Sequence, residues 1–528
     1  MSGLEASLGV LGVGLAIPGL IDLCLKYGRV LIDKIELYRN ADKTLNETQL
    51  RIDDHWIKIQ TELQFVSSVS PRLSNDITEH FSRLLHQLLA KLEVAIRQLD
   101  SIYTKSNWRK KVKMAISGSD DIRKVIRELD EWQRCFSDYL LLLTLVGDPI
   151  IDTQLNKQNL NGSQSLERIQ RIRNAINDPA SRTLLLTIED TPNYTQRSAL
   201  VDSSPELRIT PSFIIEYKSY SFQDELQVTG TELQAMHSDI CNLAQVLSAS
   251  DPMTMNILQC HGFSHDPAKQ QFELFYNLPA GHSPPRTLRN LLLSPENKRG
   301  AFHPINHRFR LASQLARAVL YIHSAKLVHK NIRPETILIS VPAGAGKEEQ
   351  YPRAIGTPFL VGFSKVREIQ AASQRVGDQD REKNLYRHPE RQGLHPEQKY
   401  NILHDVYSLG VCLLEICLWQ SFVLWDPSRT EYKINTSLCS IVQKDIPGTA
   451  TGQQKLKPPK EIQGTFVKEA QRVIPRIMGE KFAKIVISCL TCLEGGLGSP
   501  EEFMDENGVI SGVVYVDKVL QMLEEISI

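Results

Sequence analysis

The sequence predicts a multidomain chain of two classes, an all-α helical bundle followed by an α+β region. Three observations carry that expectation. The chain has 528 residues, too many for one ordinary core and enough for two or three domains. Apolar residues recur at helical spacing through most of the first 150 positions. From residue 212 onward, short alternating runs of strand character are interleaved with longer helical patterns.

Composition sets the class of partner. Lys plus Arg equals Asp plus Glu, 61 each, so no overall field draws the chain to nucleic acid. Nine cysteines, an odd number, suit a reducing cytoplasmic setting rather than a disulfide framework. Cys489 and Cys492 form a lone C-x-x-C inside an apolar run. No second pair or nearby histidine completes a zinc site, so core packing is expected and no metal.

The first stretch has no charge from Ala6 to Ile21 and is rich in glycine. A spanning helix needs roughly 20 apolar residues, and Asp22 closes this window early. The only charge before it is Glu5, whereas a signal peptide starts with positive charge. Two readings follow for Leu8, Leu11, Leu15 and Ile17: a core helix of the bundle, or a segment that enters membranes conditionally. Ile52, Trp56, Ile59, Leu63 and Val66 then mark one helical face. Phe81, Leu84, Leu85, Leu88, Leu92, Ile96 and Leu99 mark a second, and Ile122, Val125, Leu129, Trp132, Phe136 and Leu140 a third. Residues 1–150 therefore read as an up-and-down bundle. A basic cluster beside Trp108, Arg109-Lys110-Lys111-Val112-Lys113, is either a solvated helix face or a contact for anionic lipid.

Residues 151–211 join the parts. Leu166, Ile169, Ile172 and Ile176 predict one more helix, closed by Asn177-Asp178-Pro179. Polar, proline-bearing sequence through Pro205 and Pro211 reads as linker.

In residues 212–528 the strand Ser212 to Lys218 comes first, then a helix over Glu232 to Leu247. Strands follow over Ile257 to Phe263 and Phe272 to Tyr276, and then a helix from His307 to Ser324. That helix runs into Leu327-Val328-His329-Lys330-Asn331-Ile332-Arg333-Pro334-Glu335-Thr336-Ile337-Leu338-Ile339. Beyond it stand Gly362-Phe363-Ser364, Tyr386-Arg387-His388-Pro389-Glu390 and Asp405-Val406-Tyr407-Ser408-Leu409-Gly410. Gly344-Ala345-Gly346-Lys347 is not a phosphate loop, because Val341 and Glu348 break its pattern.

The order of these segments resembles the protein kinases, which implies a bilobal kinase-like fold over 212–528. His329 falls on the first position of the catalytic loop, and Arg333-Pro334-Glu335 is similar to its K-P-E. Phe363, Pro389, Glu390 and Asp405 match structural positions, and Lys218 matches the strand lysine that holds nucleotide phosphates. Read without the resemblance, Lys218 is an exposed strand lysine. Asp239 is the nearest acidic candidate for that lysine's helix partner, since Glu232 comes early in the register. The departures fall on the chemistry. Asn331 stands where the catalytic base belongs, and an amide is no base near neutral pH. Thr336 and Gly362 stand at the two positions that hold magnesium. Residues 190–211 contain no glycine, so no glycine-rich loop precedes Lys218. His329, Asn331, Thr336 and Gly362 are thus degenerate positions, and no catalytic residue is assigned. ATP is the one cofactor the resemblance leaves, with weak binding independent of Mg²⁺.

The N-terminal part resembles the fungal HeLo and HeLo-like domains. The resemblance rests on the apolar first stretch, Asp22-Leu23-Cys24-Leu25-Lys26-Tyr27, Gln49-Leu50-Arg51-Ile52 and Trp56. It implies a cell-death effector whose first helix enters membranes. Together the resemblances imply a cytoplasmic pseudokinase switch that controls a helical effector and is recruited to membrane on activation. The implied partners are proteins, further copies of the bundle and membrane lipid. The alternatives are a scaffold without membrane activity and a divergent Ser/Thr kinase with residual ATP binding.

Overall fold

In the computed structural model the apolar stripes near the N-terminus turn inward on helices. The structure describes residues 16–41, 46–104, 124–125, 127–130, 132–133, 135–144, 148–157, 163–177, 184–186, 203–204, 207–210, 213–220, 230–300, 303–325, 327–363, 367–368, 380–393, 400–426, 431–435, 456–492, 519–524 and 526. Leu8, Leu11, Leu15 and the cluster at 109–113 lie outside them. The chain divides into two units, Met1–Arg173 and Asn174–Ile528.

The first unit is helical. Helix α1 (Ile17–Ala41) packs on α2 (Asn46–Val69) and α3 (Asn75–Thr104). Ile17, Leu20, Ile21, Cys24, Leu31 and Ile35 of α1 are buried, at the three- and four-residue spacing that keeps one helical face inward. Trp56, Ile59, Leu63 and Val66 of α2 are buried too, as is the α3 stripe apart from half-buried Ile96. Gly28 lets α1 and α2 meet closely: a Cβ there would lie 1.8 Å from the Trp56 ring. The third stripe closes this core. Trp132 stacks on Phe136 at 4.7 Å and donates its indole N–H to the Leu84 carbonyl at 3.0 Å.

Two helices from the predicted connecting stretch, α4 (Pro149–Lys157) and α5 (Gln164–Asn177), belong with this unit through Arg173. Buried Arg173 donates to the Leu143 carbonyl at 2.7 Å and to Asp152 at 2.5 and 2.9 Å. At the start of α5, Ser163 donates its hydroxyl to the Glu62 carboxylate of α2 at 2.9 Å. Glu62 is buried, and burial pushes its carboxyl up to about 7. Bonds from Ser163 and Ser165 and the charges of Arg168 and Lys58 only partly oppose that shift.

This gives an expected pH dependence. A folded pKa above the ordinary 4.5 contributes stability that is present below 4.5 and lost as pH rises through about 7. The whole contribution is about 3 kcal/mol. Glu62→Gln should therefore be more stable than wild type at pH 8 and match it near pH 5. Thermal melts of both full chains across that range check this, and parallel curves would refute it.

The second unit is mixed. Five strands form an antiparallel sheet in the order β1-β2-β3-β5-β4. They are β1 (Ser203–Ser204), β2 (Leu207–Ile209), β3 (Phe213–Ser219), β4 (Cys260–Asp266) and β5 (Gln271–Asn277). Strands β1 and β2 correct the linker reading of 151–211. Leu207 and Ile209 alternate inward against β3, burying apolar area that a linker would leave in water. Leu184 and Leu186 also leave the predicted linker to bond the β4 backbone at Phe263. Helix α6 (Gly230–Ser248) packs on β4.

After this sheet the unit is largely helical. Its long elements are α7 (Ile305–Ser324), α8 (Ile402–Leu418), α9 (Pro459–Ile477) and α10 (Gly479–Leu490). Small strands β6 (Arg286–Thr287), β7 (Leu327–Val328), β8 (Ile337–Ser340), β9 (Thr357–Leu360) and β10 (Arg367–Glu368) lie between α6 and α8. Cys489 is buried in α10 and Cys492 just beyond it. Among the described residues no helix is long and apolar enough to cross a membrane.

Candidate functional site

The turn between β7 and β8 hangs on one carboxylate. Asp405, in the first turn of α8, is fully buried. It accepts the backbone N–H of His329 at 2.7 Å and of Lys330 at 2.9 Å, the Tyr400 hydroxyl at 2.7 Å, and pairs with His323 Nε2 at 3.1 Å. Burial alone raises its pKa, but the bond and charge of His323, then His329 and Tyr400, outweigh burial and hold it below the usual carboxylate range. The grip lets Lys330 adopt φ +65°, a left-handed conformation that costs a non-glycine residue roughly 1–2 kcal/mol. His329 is buried and neutral, pushed down to about 4 chiefly by that burial. Its Nδ1 accepts the Asn331 N–H at 3.2 Å, which leaves Nε2 to donate to the Val361 carbonyl at 3.1 Å.

The turn meets the segment after β9. The Asn331 side-chain amide faces the Gly362 carbonyl at 3.4 Å, and its Oδ1 accepts from Arg333 Nε at 3.0 Å. The Thr336 hydroxyl turns inward to the Asn331 and Arg333 carbonyls at 2.8 and 2.9 Å. Gly362 sits at φ +93°, and a Cβ there would lie 2.4 Å from Thr336 Cγ2 and 3.2 Å from the Asn331 amide nitrogen. Asn331, Thr336 and Gly362 therefore share one place, where the structure has room for a glycine and nothing larger. The Phe363 ring lies 4.8 Å from His329 and 6.2 Å from Tyr276.

Across this place stands a residue that the sequence reading did not single out. Glu216 of β3 is buried and accepts the Gly362 N–H at 3.1 Å and the Tyr276 hydroxyl at 3.2 Å on the same oxygen. A carboxylate between the apolar run Phe213-Ile214-Ile215 and Tyr217 was the available signal. Lys218, two residues on and so on the same strand face, is half-buried. Desolvation pushes its ammonium below the usual lysine range, against the opposing charges of Asp239 and Glu216. Glu232 opens α6, seven positions before Asp239.

Two further clusters flank the site. His388, Glu390 and His404 gather within 4.8 Å. Burial drives the imidazoles down to about 4 and about 3. Their Nδ1 lone pairs accept backbone N–H bonds, from Glu390 at 3.4 Å and Asn401 at 3.0 Å, so His388 caps the short turn at buried Pro389 and His404 closes a capping box at the start of α8. Arg289 is fully buried and holds Glu335 at 3.0 Å, Glu415 at 3.1 Å, Tyr386 at 2.6 Å and the Ser421 hydroxyl. Arg333 lies 3.6 Å from Glu335 at the edge of that network.

A comparison with protein families reaches the same part of the chain. Residues 216–495 match a family described as a domain of unknown function, DUF7580. Over 112 residues, 20% of this chain, the sequence is 28% identical to the serine/threonine-protein kinase atg1 of Schizosaccharomyces pombe. That match spans 13% of the kinase's length.

Proposed function

We propose, for a chain that belongs to the DUF7580 family, a kinase-like signalling protein that has lost phosphoryl transfer and governs an N-terminal helical effector. One observation carries the reading. The residues at the base and the two metal positions of a kinase, Asn331, Gly362 and Thr336, share one hydrogen-bonded cluster around a glycine that admits no side chain. Phosphoryl transfer rests on positioning and on metal ions that neutralise developing charge. An amide, a hydroxyl turned to backbone carbonyls and a bare glycine supply neither base nor metal ligand. The five-stranded sheet with one helix against it, the grip of Asp405 and the local likeness to a Ser/Thr kinase support a bilobal kinase-like fold.

The effector half rests on the HeLo-like resemblance of the first unit. In this reading the bundle meets other proteins, further copies of itself or membrane lipid, and leaves the cytoplasm for membrane on activation. Activation needs a signal that binds two states differently, by roughly 5.5 kcal/mol to move the released form from 1% to 99%. Ile17, Leu20 and Ile21 are bundle core, so the truncation that tests this ends at residue 15.

Deleting residues 1–15, or placing Asp at Leu11 and Leu15, is expected to abolish cell killing and dye entry on inducible expression. Helical content and melting should stay near wild type. Killing by the truncated chain at the full rate would sink the membrane reading. If neither chain kills or binds liposomes even when forced to oligomerise, the scaffold reading takes its place.

A further inference from the structure

We infer that Glu216 is a built-in occupant of the phosphate position, so that the cleft rejects nucleoside polyphosphates whether or not a divalent cation is present. The inference rests on the kinase-like reading above and goes one step further, from lost catalysis to a named cause of lost binding. Three observations carry it.

The first is placement. The Glu216 carboxylate receives the N–H of Gly362, the residue at a magnesium-holding position, and the hydroxyl of Tyr276 on the adjoining strand β5. With the Asn331 amide on the Gly362 carbonyl, the bonds run without a break from β5 and β3 to the turn after β7. Glu216, Tyr276 and Asn331 are all buried, so protein groups already fill this floor.

The second is charge. A bound triphosphate would bring several negative charges against a carboxylate held in a poorly solvated place, where like charges repel more strongly than in water. A magnesium ion would not cure this, because Asn331, Thr336 and Gly362 offer it no carboxylate. The third is Lys218. Its ammonium already feels the charges of Asp239 and Glu216, yet burial outweighs them, so the cation that would meet phosphate stands in a poorly solvated place.

Glutamine at 216 keeps an oxygen that accepts both bonds and removes only the charge. Phenylalanine at 276 does the converse, loosening the latch while leaving the charge in place. Titration of the full chain with methylanthraniloyl-labelled ATP, with and without Mg²⁺, is read beside adenosine as a phosphate-free probe. Wild type and Tyr276→Phe are expected to show no saturable ATP binding up to about 1 mM, and Glu216→Gln to bind about tenfold tighter or better, in each case independently of Mg²⁺. Adenosine should not distinguish wild type from Glu216→Gln.

Saturable binding of ATP to wild type at about 100 μM or below would overturn the proposal whatever the variants do. So would a Glu216→Gln chain that melts like wild type yet gains nothing, or an equal gain in Tyr276→Phe. Those results leave the loss of catalysis untouched. Phosphate transfer from ATP by wild type would sink both.

Discussion

Replacing Gly362 by Asp, alone or with Asn331→Asp, is expected to break the second unit rather than repair it. On the kinase-like reading proposed above, the substitution would put a carboxylate at the position from which a kinase holds magnesium. At φ +93° any L side chain is strained, and the new Cβ would overlap Thr336 Cγ2 at 2.4 Å. The backbone term is roughly 1–2 kcal/mol and the overpacking term roughly 1–3, so about 2–5 kcal/mol is at stake. A typical domain has about 5–15 kcal/mol in all. The Gly362 N–H that reaches Glu216 would shift as well. We expect a large fall in the melting temperature of Asn331→Asp/Gly362→Asp and no autophosphorylation. A double variant that melts like wild type and transfers phosphate would show that those two positions were the only losses.

Arg289→Met is expected to destabilise the same unit by about 3–5 kcal/mol, on the order of 10 °C in melting temperature, by stranding buried charge. Burial pushes Glu415 up, with Arg289 opposing, and for Glu335 the attraction of Arg289 and Arg333 overcomes burial and holds it low. Without the guanidinium Glu415 faces the apolar interior along with the Tyr386 hydroxyl, and half-buried Glu335 keeps Arg333 at 3.6 Å but loses its closer partner. Both carboxylates can relieve this by taking protons, so the deficit should narrow as pH falls from 8 to 5. Melting curves of variant and wild type across that range measure it. A deficit that stays constant would place the loss in packing rather than in charge.

The helical faces were legible because their signal is local. Stripes such as Trp56, Ile59, Leu63 and Val66 are set by spacing along one helix, and packing then confirms the face. Asn331, Thr336 and Gly362 were legible as departures from a pattern, yet why Gly362 is glycine needed its φ and the position of Thr336. Strands β1 and β2 were not legible. At two and three residues they carry almost no periodicity, and their pairing with β3 exists only in three dimensions. Glu216 was hidden for a related reason, since its partners Tyr276 and Gly362 lie 60 and 146 residues away. The Arg289 network gathers residues 46, 97 and 126 positions apart, and no local pattern points to it.

The contact between Gly28 and Trp56 makes the helical unit a spectroscope for its own rearrangement. An indole laid on a glycine backbone is shielded from water only while α1 and α2 stay together. Its emission maximum therefore reports the separation of those helices directly, with no dye attached. The chain has five tryptophans, and with Trp108, Trp132, Trp419 and Trp425 changed to Phe the remaining signal belongs to Trp56 alone. A shift of that signal to longer wavelength as vesicles are added would time the departure of α1 from α2. The same shift seen without vesicles would mean that the bundle opens first and meets lipid afterwards.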